Sequence, residues 1–277
     1  MKKLVSILLA GMMMFSLTAC AGGRNEETEI HVFIAASLDT VMEELAERYH
    51  ETHPNVTISF NADSSGTLLT QIQEGYECDI FFSAAQKQMD DLETDRLVKA
   101  GTRANVVNNQ VVVVSLKDSG TKVTGLENLN EAESIALAGG SVPVGRYTRE
   151  ALISLGTLDG SKAAEEYTTE EVSEALGGVE ISEQDNVSKV LMAVAEGSCE
   201  VGTTYYSDTY GYEDDLEVLE TVSYDLTGDV IYPICQVVNE EADELQAEAA
   251  ADFYEFILSD EAKEVFDAYY FDTDVER

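Results

Sequence analysis

The stretch Ile30-His31-Val32-Phe33-Ile34-Ala35-Ala36-Ser37-Leu38 decides the fold. Its first half is a short apolar run of β-branched and aromatic residues, the composition of a buried strand. Directly after it, Val41, Met42, Leu45, Ala46 and Tyr49 fall on one face of a helix. Ser37 therefore stands where a strand gives way to a helix, and it reads as an N-cap. The free N–H groups of a first helical turn point outward, and the helix dipole favours negative charge beside them. Taken alone, the serine is a cap. What points to binding is that the same pattern recurs.

Val56, Ile58 and Phe60 alternate as a strand does, and Asn61 to Thr67 is a hydroxyl-rich turn before a helix carrying Leu68, Leu69 and Ile72. Asp79 to Ser83 is a third strand, followed by a helix with Met89, Leu92 and Leu97. Strands alternating with helices predict an α/β protein with parallel units and helices on both faces of a sheet. Val111 to Val114 breaks the cadence and is expected to leave the first domain. Ile135 to Ala138 is a strand, and Gly139 to Gly145 a loop in which Pro143 and Gly145 permit a tight turn beside a ligand. A helix with Tyr147, Ala151, Leu152 and Leu155 follows. Thr157 to Ser182 is acidic and reads as a solvated surface excursion. Asn186 is a cap for a helix lined by Val187, Val190, Leu191 and Val194, and Glu200 to Tyr205 is a strand. Val230 to Val238 reads as the return crossing, and two helices close the chain. Ser37, Ser65, Val144 and Val187 thus all lie at helix starts that follow strands. In open α/β sheets ligands bind at such carboxyl edges.

Composition narrows the partners. The 54 acidic residues against 16 basic ones give a formal charge of −38. Nucleic acid is a poor partner, because phosphate neutralisation needs clustered Lys and Arg. A hydrophobic content of 44% over 277 residues supports packed cores. The histidines, His31, His50 and His53, form no His-Glu-x-x-His motif, and no Gly-x-Ser-x-Gly elbow or Cys-x-x-Cys pair occurs. No catalysis and no cofactor are expected, and metal-cation capture by imidazoles is disfavoured. Cys199 and Cys235 are placed by nothing in the sequence within or beyond bonding reach.

Lys2-Lys3 followed by the apolar Leu4 to Leu17 has the form of a secretory signal, expected over residues 1–19. Leu17-Thr18-Ala19-Cys20 resembles a lipobox, which implies cleavage before Cys20, lipid on its thiol and an extracytoplasmic lipoprotein anchored to the cell membrane. Residues 20–29 then make the lipidated cysteine and a polar tether.

From Ile30 to Phe271 the chain resembles the extracytoplasmic molybdate-binding proteins of ABC transporters. The matching words are Val32-Phe33-Ile34-Ala35-Ala36-Ser37-Leu38, Ser64-Ser65-Gly66-Thr67-Leu68, and Asp79-Ile80-Phe81-Phe82-Ser83-Ala84 with Gln86-Lys87-Gln88-Met89-Asp90. Val142-Pro143-Val144-Gly145-Arg146-Tyr147, Asn186-Val187 and Gly202-Thr203-Thr204-Tyr205-Tyr206-Ser207-Asp208 complete them. Their shared order over nearly the whole mature chain carries the resemblance. It implies a two-lobed type II periplasmic-binding-protein fold with a hinge and a ligand cleft. Lobe 1 would comprise residues 30–109 and 231–277, and lobe 2 residues 110–230.

Carried over by position, the resemblance implies that Ser37 and Ser65 each give a hydroxyl and an amide. Val144 and Val187 would give amides, and Tyr205 its phenol hydroxyl, to a molybdate or tungstate oxyanion. Molybdenum would be held as that oxyanion, without direct ligands to a metal cation. The implied partners are the anion, a membrane permease that receives it, and the membrane through the N-terminal lipid, for a monomer. Read without the resemblance, the serines are caps and Tyr205 is a core aromatic. Val144 replaces the usual small residue, Asp63 is an acid beside Ser64-Ser65 expected to face solvent, and Arg146 is expected on the surface or rim. Sulfate and phosphate are the alternative ligands. From other classes, a lipoprotein adhesin or sensor, or a hydrolase, are the alternative uses of the fold.

Overall fold

The computed structural model describes residues 27–276. The expected signal sequence and Cys20 lie outside them. Thr28 and Glu29, expected in the tether, already belong to the first strand.

The chain begins β1 (Thr28–Ala35), a single 3₁₀ turn (Ala36–Leu38), α1 (Asp39–Thr52), β2 (Val56–Asp63), α2 (Ser65–Gln73), β3 (Ile80–Phe82), α3 (Gln86–Thr94) and β4 (Ala104–Asn109). It continues with β5 (Val111–Leu116), β6 (Ser134–Ala138), α4 (Pro143–Ser154), α5 (Thr169–Ala175), β7 (Glu180–Gln184), α6 (Val187–Ala195), β8 (Val201–Tyr205) and β9 (Leu216–Thr221). A short α7 (Tyr224–Thr227), then β10 (Val230–Gln236), α8 (Glu244–Ile257) and α9 (Asp260–Ala268), complete it.

Two five-stranded sheets result, ordered β2-β1-β3-β10-β4 and β7-β6-β8-β5-β9. β4 lies in the first sheet and β5 in the second, with Gln110 alone between them. The chain returns between β9 and β10.

Alternation along β1 explains its two helical coverings. Val32 and Ile34 pack with Val41, Met42, Leu45 and Phe253, whereas Phe33 packs with Leu68, Ile72, Phe81 and Met89. Each fully buried apolar side chain of this kind is worth about 1.5–3 kcal/mol over its exposed state.

The acidic excursion expected at Thr157 to Ser182 is built into the second half instead. Leu158, Ala164, Tyr167, Val172 and Leu176 are buried, and Glu180–Gln184 pairs along β6 as the edge strand. Thr168 caps α5 in a reciprocal capping box with Glu171. Its charged residues line the outer face of a packed element, which is why composition alone suggested an excursion.

Candidate functional site

Strand register sets the site. Parallel pairing runs from Thr28↔Val56 to Ala35↔Asp63, so β1 and β2 end level with each other. Ser37 and Ser65 each follow two residues later, side by side at one sheet edge. β3 is parallel to β1 as well, with Ile34 opposite Phe82. In the second sheet, β7 and β8 both run parallel to β6. Val144 follows β6, Val187 follows β7, and Tyr205 ends β8. All five line one small cavity, together with Asp63, Ser64, Ala84 and Pro143.

The hydroxyl of Ser65 is fully buried and accepts from the Ala84 N–H at 2.9 Å. Its proton is therefore free to be donated elsewhere. Ser64 is the cap of α2, accepting from Thr67 N–H at 3.2 Å, which leaves Ser65 in the first turn. Ser37 differs from expectation. It lies inside the 3₁₀ turn, whose cap position is Ala35, and it makes no capping bond. Its hydroxyl instead meets the Tyr232 hydroxyl at 2.8 Å.

The Tyr205 hydroxyl is an outlier, as are Gln88 Oε1 and Arg146 Nε among the described residues. Tyr205 is 1% exposed, and its oxygen is buried without a hydrogen-bond partner. Leaving such a group unpaired costs about 1–3 kcal/mol. Burial pushes the phenol well above its usual range, so it remains a donor. Its ring meets Tyr232 edge to face, with centroids 5.8 Å apart.

The second half adds main-chain donors. Pro143 is the first residue of α4 and has no N–H, so Val144 gives the helix's first free amide. Val187 opens α6 behind Asn186, whose side chain accepts from Lys189 N–H at 3.0 Å. Gly145 is required where it stands: a Cβ there would lie 2.2 Å from the Gly139 carbonyl oxygen.

Arg149, one turn on, is fully buried. It donates to the carbonyls of Ala138 and Gly145 at 2.8 Å and of Tyr167 at 2.9 Å. It thus ties the binding loop to the segment 157–182, and burial lowers it to about 10. Nothing in the periodicity marks Arg149, since a helical arginine ordinarily faces solvent.

Three charged groups correct or extend expectation. Asp63 does not simply face solvent; it lines the cavity. Its Oδ1 accepts from Ser64 N–H at 2.7 Å and from Asn186 Nδ2 at 3.4 Å, across the cleft. Arg146 is not a surface residue: its side chain is 15% exposed, pairs with Glu150 and lies 4.3 Å from the Tyr147 ring centroid. Asp208, raised by burial to about 6, accepts from Thr204 Oγ1 at 2.7 Å and Tyr205 N–H at 2.9 Å. The halves are closed on each other here. Ser188 Oγ reaches the Ala36 carbonyl at 3.3 Å, and a Cβ on Gly66 would lie 2.9 Å from the Ser141 carbonyl oxygen.

No group of three or more His, Cys, Asp or Glu side chains able to hold a metal ion occurs among the described residues. Cys78, Cys199 and Cys235 are buried free thiols, with Cys199 beside the second sheet and Cys235 in the first. No described helix is long and apolar enough to cross a membrane. The arrangement presents hydroxyls and amides able to donate, with the Asp63 carboxylate beside them, around one small cavity.

Residues 30–272 match the family model of bacterial extracellular solute-binding proteins. The chain is 30% identical to lipoprotein YvgL of Bacillus subtilis (strain 168), to which a substrate-binding role in an ABC transporter is ascribed, over 98% of this chain and 99% of that protein. It is 29% identical to the molybdate-binding protein ModA of Escherichia coli (strain K12), over 89% and 90% of the two chains. The periplasmic molybdate-binding protein of Azotobacter vinelandii superposes with a TM-score of 0.71 at 18% identity, covering 87% of this chain and 98% of that one. This last likeness shows the fold, the two-lobed type II periplasmic-binding-protein fold.

Proposed function

The chain belongs to the family of bacterial extracellular solute-binding proteins, and from that premise we propose that it captures molybdate, or the isostructural tungstate, for a membrane permease of an ABC transporter. Ser37, Ser65 and Tyr205 would give hydroxyl donors, and Val144 and Val187 amide donors. The observation that carries this reading is the Tyr205 hydroxyl, buried and unpaired beside the serines. A tetrahedral anion with only lone pairs would satisfy it and bridge the two halves.

Each neutral hydrogen bond is modest in water and stronger once the closed cleft excludes it. An open form would admit the anion, and bonds from both halves would favour closure. Electrostatic repulsion from an acidic surface is screened within roughly 8 Å at physiological salt. Cys20 would carry a lipid anchor, holding a monomer outside the cytoplasm near its permease. The molybdate-binding protein ModA among the relatives named above supports this ligand.

A second reading, hydrogen phosphate, is favoured by one observation. The Asp63 carboxylate lines the cavity, and a carboxylate accepts the proton such an anion carries. Calorimetric titration of the purified mature chain with molybdate, tungstate, sulfate and phosphate separates the two. Molybdate or tungstate is expected to bind with a Kd of roughly nanomolar to micromolar, about −12 to −8 kcal/mol. Tighter binding of phosphate or sulfate overturns the assignment.

A further inference from the structure

Ser37 does not stand alone: its hydroxyl ends a buried hydrogen-bond chain that begins at Asn109. Asn109 is the last residue of β4, immediately before the crossing between sheets, and is 2% exposed. Its side-chain oxygen accepts from Gln110 N–H at 2.9 Å and from Ser207 N–H at 3.4 Å. Two backbone donors therefore fix the amide's orientation, so its Nδ2 must point the other way. That nitrogen donates to Ser207 Oγ at 2.8 Å and to the Tyr232 hydroxyl oxygen at 3.2 Å. An amide nitrogen has no lone pair to offer, so Tyr232 accepts there. Tyr232 is itself fully buried, and its hydroxyl lies 2.8 Å from Ser37 Oγ, a pair in which either oxygen can donate; with Asn109 already donating to it, Tyr232 has Ser37 as the acceptor for its own proton. Ser37 then accepts from Tyr232, and its own proton is left for the cavity.

We infer that Asn109 and Tyr232 are positioning residues that orient the Ser37 hydroxyl as a donor, and thereby make the site select fully deprotonated tetrahedral oxyanions over protonated ones. The inference rests on the oxyanion reading of the cleft and adds the residues that set its preference. Ser65 is oriented the same way by a different device, the Ala84 N–H at 2.9 Å. Together the two devices turn ambivalent hydroxyls, which can accept as well as donate, into donors. The direction of each bond follows from an atom that can only donate, at the far end of the chain.

The test exploits two anions of equal charge. At alkaline pH, hydrogen phosphate carries the same double charge as molybdate but also one proton. A change in long-range electrostatics moves both affinities alike, and a reversed hydrogen bond does not. Asn109→Asp is nearly isosteric and replaces the donor to Tyr232 by an acceptor. Tyr232 then donates toward Asp, Ser37 donates to Tyr232, and serine lone pairs face the cavity. The molybdate-to-phosphate affinity ratio, from calorimetry and competition, is expected to fall at least tenfold. Tyr232→Phe, which only removes the bond to Ser37, is expected to lower it severalfold with the melting temperature shifted little.

Equal weakening of both anions in Asn109→Asp, with the ratio also unchanged in Tyr232→Phe, overturns the inference. Wild-type protein that prefers phosphate to molybdate overturns the inference, and wild-type protein that binds none of molybdate, tungstate, sulfate or phosphate overturns the oxyanion reading itself.

Discussion

Asn186 Nδ2 at the head of α6 approaches Asp63 Oδ1 at the end of β2 to 3.4 Å, joining the two halves across the mouth of the cavity. The contact opposes two effects in one residue. It helps to hold the cleft shut, and it keeps a negative charge in the wall of an anion site. At an effective dielectric of about 20, a unit charge several ångströms away costs a dianion more than about 2 kcal/mol before screening. That outweighs one hydrogen bond at this length. Asp63→Asn is therefore expected to tighten molybdate binding about tenfold and to weaken hydrogen phosphate, measured by parallel titrations. Weaker molybdate binding would make the latch the dominant effect.

Tyr205→Phe removes a hydroxyl that, with the halves closed, is buried and pairs with no protein atom. Stability without ligand should hold or rise slightly, because an unsatisfied polar atom is lost. Binding should weaken by about 1–3 kcal/mol. Thermal melts with and without molybdate separate the two outcomes, and a variant that melts lower without ligand contradicts the orphaned geometry.

Gly66 faces the Ser141 carbonyl oxygen across the cleft, where a Cβ would come to 2.9 Å. Gly66→Ala strains only the closed arrangement. Its thermal stability without ligand is expected to match the wild type, while affinity falls at least tenfold through faster release. Stopped-flow measurement of dissociation checks this.

Arg149 holds three backbone carbonyls from three places in the chain. Arg149→Met keeps the packing of the stem and leaves those carbonyls without their donor. The expected loss is about 2–4 kcal/mol in urea unfolding. Limited proteolysis is expected to cut first within 157–182, and cutting elsewhere would dissociate the arginine from that segment.

Asp208 has its folded pKa raised to about 6 by burial, above its ordinary value of 3.8. The folded state therefore binds the proton more tightly than the unfolded one. The sign follows: this group's contribution is most favourable below about pH 4 and falls as pH rises to about 6. Asp208→Asn abolishes that fall in the variant, so the difference between wild-type and variant stability curves should decline from pH 4 to 6. A difference curve flat across pH 4–6 contradicts the burial of the charge.

Much of this site was legible in the sequence because its parts are local. A strand that ends at Ala35 and a helix that starts after Leu38 are both read from spacing, and Ser65, Val144 and Val187 follow from the same pattern. Tyr205 was reached through resemblance, since alternation alone makes it a core aromatic. What stayed hidden depends on partners far along the chain. Tyr232 lies 195 residues from the serine it meets, and Arg149 satisfies carbonyls that no periodicity connects. Asp63 was misjudged for the same reason, because Asn186 approaches it only once the halves close. The segment 157–182 was misread because its acids are on the outside of a packed element.

The lone residue Gln110 linking the two sheets has a mechanical corollary. Rotation about so short a joint displaces neighbouring atoms least, and Tyr205 pairs with Val111 at that joint. With a hinge there, as the proposed closure requires, the backbone of Tyr205 would stay near the axis while Val144 and Val187 sweep the wider arc. An arriving anion would thus dock first against a stationary jamb, and only afterwards would the far leaf swing in to meet it.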